Sequence, residues 1–190
     1  QQAEQAVDRY FAGEPVDPLL INTYLSLVAY YGNQKTFESY KQAFENPVSP
    51  VHRSRILSSM GYFGTPETQQ LAMDYLRDDA VSASDLRYLL SGFSFQPERH
   101  QRFQHWLETH YEELKAAFPP FRIPRLPGYW VEHRCDHEGV KRAEQFFSTH
   151  EVDNGPLQKS LRNTAAAVES CQALARSGQK GFDAFLASQK

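Results

Sequence analysis

The sequence has none of the short motifs that mark a catalytic centre. It contains no His-Glu-x-x-His helix to seat zinc, no Gly-rich phosphate loop and no Gly-x-Ser-x-Gly nucleophile elbow. Cysteine is scarce. Cys135 and Cys171 are the only two, and two isolated cysteines read as reduced, partly buried thiols and not as a disulfide framework. No apolar run approaches the roughly 20 residues that span a bilayer, so no membrane partner is expected. The opening QQAEQAVDRYF is polar and amphipathic, unlike a signal peptide. Excess positive charge is missing too. A formal net charge of −3 and a pI near 6.2 argue against nucleic acid as a partner. The chain starts at Gln1 and reads as a piece of a longer polypeptide, with any targeting signal upstream. The cytoplasm is the expected compartment, with the periplasm as the alternative.

Strand signals are almost absent, and helix punctuation recurs instead. Asp17-Pro18, Ser49-Pro50 and Thr65-Pro66 each place a capping side chain before a proline, with Gln96-Pro97 a weaker version. The cap oxygen accepts an orphan backbone N–H, and proline in the first turn loses no hydrogen bond. After Pro18, Leu19, Leu20, Tyr24, Leu27, Val28 and Tyr31 form one apolar stripe, which Gly32 ends. Asn33 starts the next helix, with Phe37, Tyr40 and Phe44 on one face. Further stripes follow at Ile56, Leu57, Met60 and Phe63, then at Leu71, Met73, Tyr75 and Leu76. Ser82 and Asp85 resemble a capping box before Leu86, Leu89, Leu90 and Phe93. A long helix is predicted from Pro97 to about Phe118, bent near His110. PPFRIPRLPG, with four prolines, is a loop or a broken helix. Two helices are predicted at about 136–149 and 156–176, and a short one over GFDAFL closes the chain.

The caps also repeat. Pro18 to Pro50 is 32 positions and Pro66 to Pro97 is 31, room for one helix hairpin per period. Such pairs bury their stripes by stacking. The expected fold is all-α, a right-handed α-α superhelix of antiparallel helix pairs, irregular and HEAT- or armadillo-like, forming a single helical-repeat domain over 1–190.

Few residues carry chemistry. Glu132, His133, Arg134, Cys135, Asp136, His137 and Glu138 concentrate possible metal ligands, but Arg134 stands where a zinc peptidase needs its catalytic Glu. The run reads as a solvated helix start capped by Asp136. His100, His105 and His110 recur every five residues, which turns about 500° per step, so they share no face and read as surface or boundary residues. Cys171, among Ala166, Ala167, Val168 and Leu174, reads as a small core residue. Arg53 and Arg55 open a helix whose other face is apolar. A guanidinium there needs a carboxylate, with Asp85 or Asp74 as partners for Arg55, or it binds an anion on a concave face. Arg53, Arg55 and Asp85 are therefore the candidate structural or anion-contacting residues. No catalytic or metal-binding residue is assigned.

From about Leu19 to Ala175 the chain resembles the C-terminal helical domain of the aminopeptidase N and puromycin-sensitive aminopeptidase family of zinc exopeptidases. The resemblance is carried by RSRILSSMGYFGTPETQQLAMDYL, by SDLRYLLSGFSFQPERHQRFQHWLETHYEELKAAF with Gly92, Pro97 and Trp106, by CDHEGVKRAEQFF with its Phe pair, and by LRNTAAAVESCQALAR. RIPRLPGYW departs from the pattern, where the family usually keeps a helix. The family's zinc ligands and catalytic Glu belong to an upstream domain with no counterpart here.

The resemblance implies a role. In such enzymes the helical domain is a lid over the zinc domain, closing the chamber and limiting substrate access. It implies zinc in the missing catalytic domain, with that domain and the peptide substrate as partners. The alternative reading is a stand-alone α-solenoid that binds a peptide or protein in its groove.

Overall fold

The computed structural model of the chain describes residues 1–82, 85–93, 97–117, 120–131, 135–151 and 154–188. The fold is all-α, about 80% helix, with no strand among the described residues. The chain divides into two compact units, Gln1–Ala117 and Phe118–Lys190.

The first unit contains α1 (Gln2–Phe11), α2 (Ile21–Tyr31), α3 (Gln34–Glu45), α4 (Pro50–Met60), α5 (Pro66–Asp74), a 3₁₀ turn (Tyr75–Arg77), α6 (Leu86–Phe93), α7 (Pro97–Thr109) and α8 (Tyr111–Ala117). Its helix starts follow the cap chemistry. Asn33 and Thr36 form a reciprocal box at α3, the Ser49 hydroxyl accepts from His52 N–H at α4, and Thr65 accepts from Thr68 N–H at α5. Asp17 behaves differently. Its carboxylate accepts from Leu19 N–H in a separate turn, and α2 begins only at Ile21. The long predicted helix is two, α7 and α8, separated at His110.

Packing in this unit alternates. Helix α2 touches α4 and α4 touches α6, while α3 touches α5 and α5 touches α7. Pairs close across these two rows, α1 on α2, α3 on α4 and α6 on α7. Contact between every second helix is how stacked helix pairs bury their stripes. The core is aromatic. Phe63 meets Phe37 and Tyr40 edge-on at 5.5 Å each, and Tyr75 meets Phe44 at 5.8 Å. At one crossing the backbones themselves touch. A Cβ on Gly61 would lie 2.6 Å from the Gly92 Cα, so α4 and α6 approach as only two glycines allow.

The second unit contains a 3₁₀ segment (Pro120–Arg125), α9 (Leu126–Val131), α10 (His137–His150) and α11 (Gly155–Ser188). The proline-rich stretch is thus short helical pieces. Trp130 is fully buried, with Phe147 4.9 Å and Phe146 5.4 Å from its ring. Leu157, Leu161 and Val168 of α11 complete the core. Asp136 caps α10 by accepting from Glu138 N–H, and Asn154 accepts from Leu157 N–H at the start of α11.

Two expectations are corrected here. The helix predicted at 156–176 and the short one over GFDAFL are one. Helix α11 runs through Gly178 and Gly181, because glycine lowers helix propensity without forbidding a helix that its packed first half has nucleated. The cysteines are not free. Cys135 and Cys171 form a disulfide, their Cα atoms 5.2 Å apart, and Cys171 is half-buried and not a core residue.

Candidate functional site

Arg53 is the hub of the polar network in the first unit. The first turn of α4 sets its guanidinium 3.8 Å from the centre of the Phe44 ring. Its fork donates to the Phe44 carbonyl at 3.2 Å, the Ala80 carbonyl at 2.6 Å and the Asp85 carboxylate at 3.0 Å. Asp85 also accepts from the Ser82 hydroxyl at 2.6 Å and from Ser82 N–H at 3.2 Å. Burial alone would raise its pKa, but the Ser82 hydroxyl and the Arg53 guanidinium outweigh burial and hold the carboxyl below its ordinary value. A second group adjoins this one. Lys41 pairs with Asp78 at 3.2 Å and lies 4.9 Å over the Tyr75 ring, while the Tyr75 hydroxyl donates to Glu45 at 3.0 Å. Burial, then the Glu45 carboxylate, push the Tyr75 phenol up.

This network ties α3, α4, the 3₁₀ turn and the approach to α6 into one body, and the Arg53 hydrogen bonds go to protein oxygens. Arg55 is placed differently. It is half-buried, and among the described residues it has no ion pair. Its expected partners are engaged elsewhere, Asp85 by Arg53 and Asp74 by Gln70 and the Trp106 indole.

Other sequence candidates separate. Glu132, His133 and Arg134 lie outside the described residues. Cys135 of the same run is consumed by the disulfide, and no group of three or more His, Cys, Asp or Glu that could hold a metal ion occurs among the described residues. His100 is fully buried in α7, 2.9 Å from the Gln104 amide, which corrects its reading as a boundary residue. His105 is exposed and His110 half-buried. Sequence reasoning missed His52. It is buried against the Tyr10 ring at 4.3 Å, and its Nε2–H donates to the Tyr10 carbonyl at 2.8 Å, tying α1 to α4. Its position on the Ile56 side of α4 was the available signal.

The first unit keeps open surface around α1 and α2. A cleft of about 380 Å³ lies between α1, α2 and α3, walled by Val7, Phe11, Leu27, Val28 and Tyr31 with Asp8 and Lys35 at its edge. Leu19 (86% exposed), Leu20, Leu27 and Tyr31 stand in solvent nearby.

Comparison with known proteins decides the family. The model of the ERAP1-like C-terminal domain matches residues 1–187. The chain belongs to this family. It is 24% identical over 164 residues to Aminopeptidase 2 of Candida albicans, covering 84% of this chain and 18% of that protein. It is 25% identical over 124 residues to the alanine/arginine aminopeptidase of Saccharomyces cerevisiae, covering 64% of this chain and 14% of that one. A match of 25% over 105 residues to the mitochondrial Aminopeptidase 2 of the same yeast covers 55% and 11%. The chain therefore spans less than a fifth of these relatives. No helix among the described residues is long and apolar enough to cross a membrane.

Proposed function

We propose that this chain is the C-terminal helical lid of a zinc-dependent aminopeptidase, an enzyme that removes N-terminal residues from peptides. The lid is non-catalytic. It closes over the chamber that holds the active site and limits which substrates enter. The observation that carries this reading is the family match through both units, together with the small share of the aminopeptidase relatives that the chain covers. We read 1–190 as one helical-repeat domain, built as a right-handed superhelix, and the match over residues 1–187 supports the single domain. Zinc and its activated water belong to the catalytic domain of the same polypeptide, as the family match supports; among the described residues no group of three or more His, Cys, Asp or Glu could hold a metal ion. The partners are that domain and the peptide, with no nucleic acid and no membrane. Arg53 and Asp85 hold the lid's shape, and Arg55 is the residue left to contact an anion such as a peptide carboxylate.

Hydrolysis of an aminoacyl-coumarin substrate tests the reading. The chain alone should release no fluorophore, while the full-length polypeptide should release it, lose activity to 1,10-phenanthroline and recover it with zinc. A full-length protein without chelator-sensitive activity would overturn the proposal. Tight peptide binding by the isolated chain in that case would favour the stand-alone solenoid.

A further inference from the structure

The disulfide uses every cysteine the chain has, since Cys135 and Cys171 are the only two. Its ends sit at chosen points. Cys135 immediately precedes Asp136, the cap of α10. Cys171 lies where α11 changes character, three residues after buried Val168 and two before a stretch in which every residue of described burial is exposed. The neighbouring Gln172 amide donates to the Cys135 carbonyl at 2.9 Å, a second tie at the same place. The bridge therefore fastens the start of α10 to the last packed turn of α11 and encloses α10 between its two ends. Both cysteines are half-buried, within reach of a small reductant. In a compartment poised by reduced glutathione, such a bridge is exposed to thiol exchange, whereas it persists where the medium is oxidising.

We propose that Cys135–Cys171 is a latch formed in an oxidising compartment, and that the packing of α10 on α9 and α11 depends on it. Closing it removes two protons and two electrons from the two thiols. A disulfide oxidant, a protein or glutathione disulfide, takes them up and leaves as two thiols. Opening it consumes a dithiol such as dithiothreitol and returns that reagent's disulfide. This reading replaces the cytoplasmic expectation and does not depend on the lid proposal.

Two measurements test it. Cells or medium carrying the native protein are acid-quenched, and the denatured protein is labelled with a maleimide polymer before and after reduction. The expected result, read by mass spectrometry at Cys135 and Cys171, is label at neither before reduction and at both after. Label at both before reduction would overturn the oxidising compartment. Hydrogen exchange and melting of the purified chain are then followed with and without dithiothreitol. Opening the bridge should speed exchange across His137–His150 tenfold or more, leave α2 to α5 unchanged, and lower the melting midpoint of the second unit by about 10 °C. The Cys135→Ser/Cys171→Ser variant should match the reduced protein and ignore the reagent. If that variant does not fold, the reduced wild type supplies the comparison alone. Unchanged α10 exchange in protein whose two thiols have been labelled would overturn the latch.

Discussion

The two units solve the same problem by different means. The first spreads its core over many rings, Phe37, Tyr40, Phe44, Phe63 and Tyr75 among them, and lets α4 and α6 meet backbone to backbone at Gly61 and Gly92. It needs no covalent tie. The second packs fewer elements around Trp130, and half of its longest helix lies in water. A smaller core buries a smaller fraction of its surface, so it gains more from a cross-link. The disulfide stands where side-chain packing gives out. The difference teaches that a helical stack can vary its source of stability along one chain, and single substitutions should expose where each source operates.

The largest effect should come from Trp130→Ala. It empties the centre of the second unit, and truncation of a buried aromatic costs about 3–5 kcal/mol. Loss of the second unit's protection, with α2 to α5 still protected in hydrogen exchange, is the expected result. A global loss of protection would show that the two units share one transition and would break the comparison.

Gly92→Ala should come next. The new methyl would sit 2.7 Å from both the Gly61 Cα and the Ser58 carbonyl, which are backbone atoms that cannot rotate away. Overpacking of this kind costs about 3 kcal/mol at the upper end of its usual range. Chemical denaturation should report it as a lower midpoint with an unchanged slope.

Arg53→Ala should cost about 2 kcal/mol, because three donors vanish and Asp85 keeps only Ser82. The pH dependence has a definite sign. The Asp85 pKa is lowered in the folded chain, so its contribution is present above the unfolded value near 3.9 and lost as pH falls through the folded one. The gap between wild type and variant should hold from neutral pH to about pH 5 and narrow below about pH 4. A gap that stays constant in acid would show that Asp85 is not the partner that matters.

Legibility followed the range of the interaction. Ser49, Thr65, Asn33 and Asp136 were readable as caps because each bonds within three residues of itself. The apolar stripe from Ile56 to Phe63 was readable because burial of one helix face leaves a period. The Arg53 partnership was not, since Arg53 and Arg55 lie two positions apart and only the placement of Ala80 and Asp85 selects one. The disulfide was not either. Its ends are 36 residues apart, and their approach depends on how α10 folds back beside α11. The continuity of α11 was missed for a related reason, because local propensity at Gly178 and Gly181 says nothing of a helix nucleated 20 residues earlier.

The smallest effect should be the most diagnostic, because it repeats Gly92→Ala with the opposite sign. Gly178 lies in the exposed half of α11, and a Cβ there would meet nothing within 4 Å. Its backbone is already helical, so alanine adds no strain and removes freedom from the unfolded chain. Gly178→Ala should therefore favour the helix by about 0.5–1 kcal/mol. The gain should stay local, since every residue of described burial in 173–188 is exposed. Exchange across that stretch should slow severalfold, while the global midpoint moves by less than about 0.5 kcal/mol. A destabilised Gly178→Ala variant would mean that this face of α11 is covered in solution, and the contrast between a close-packed first unit and a half-bare second one would fail at its most exposed point.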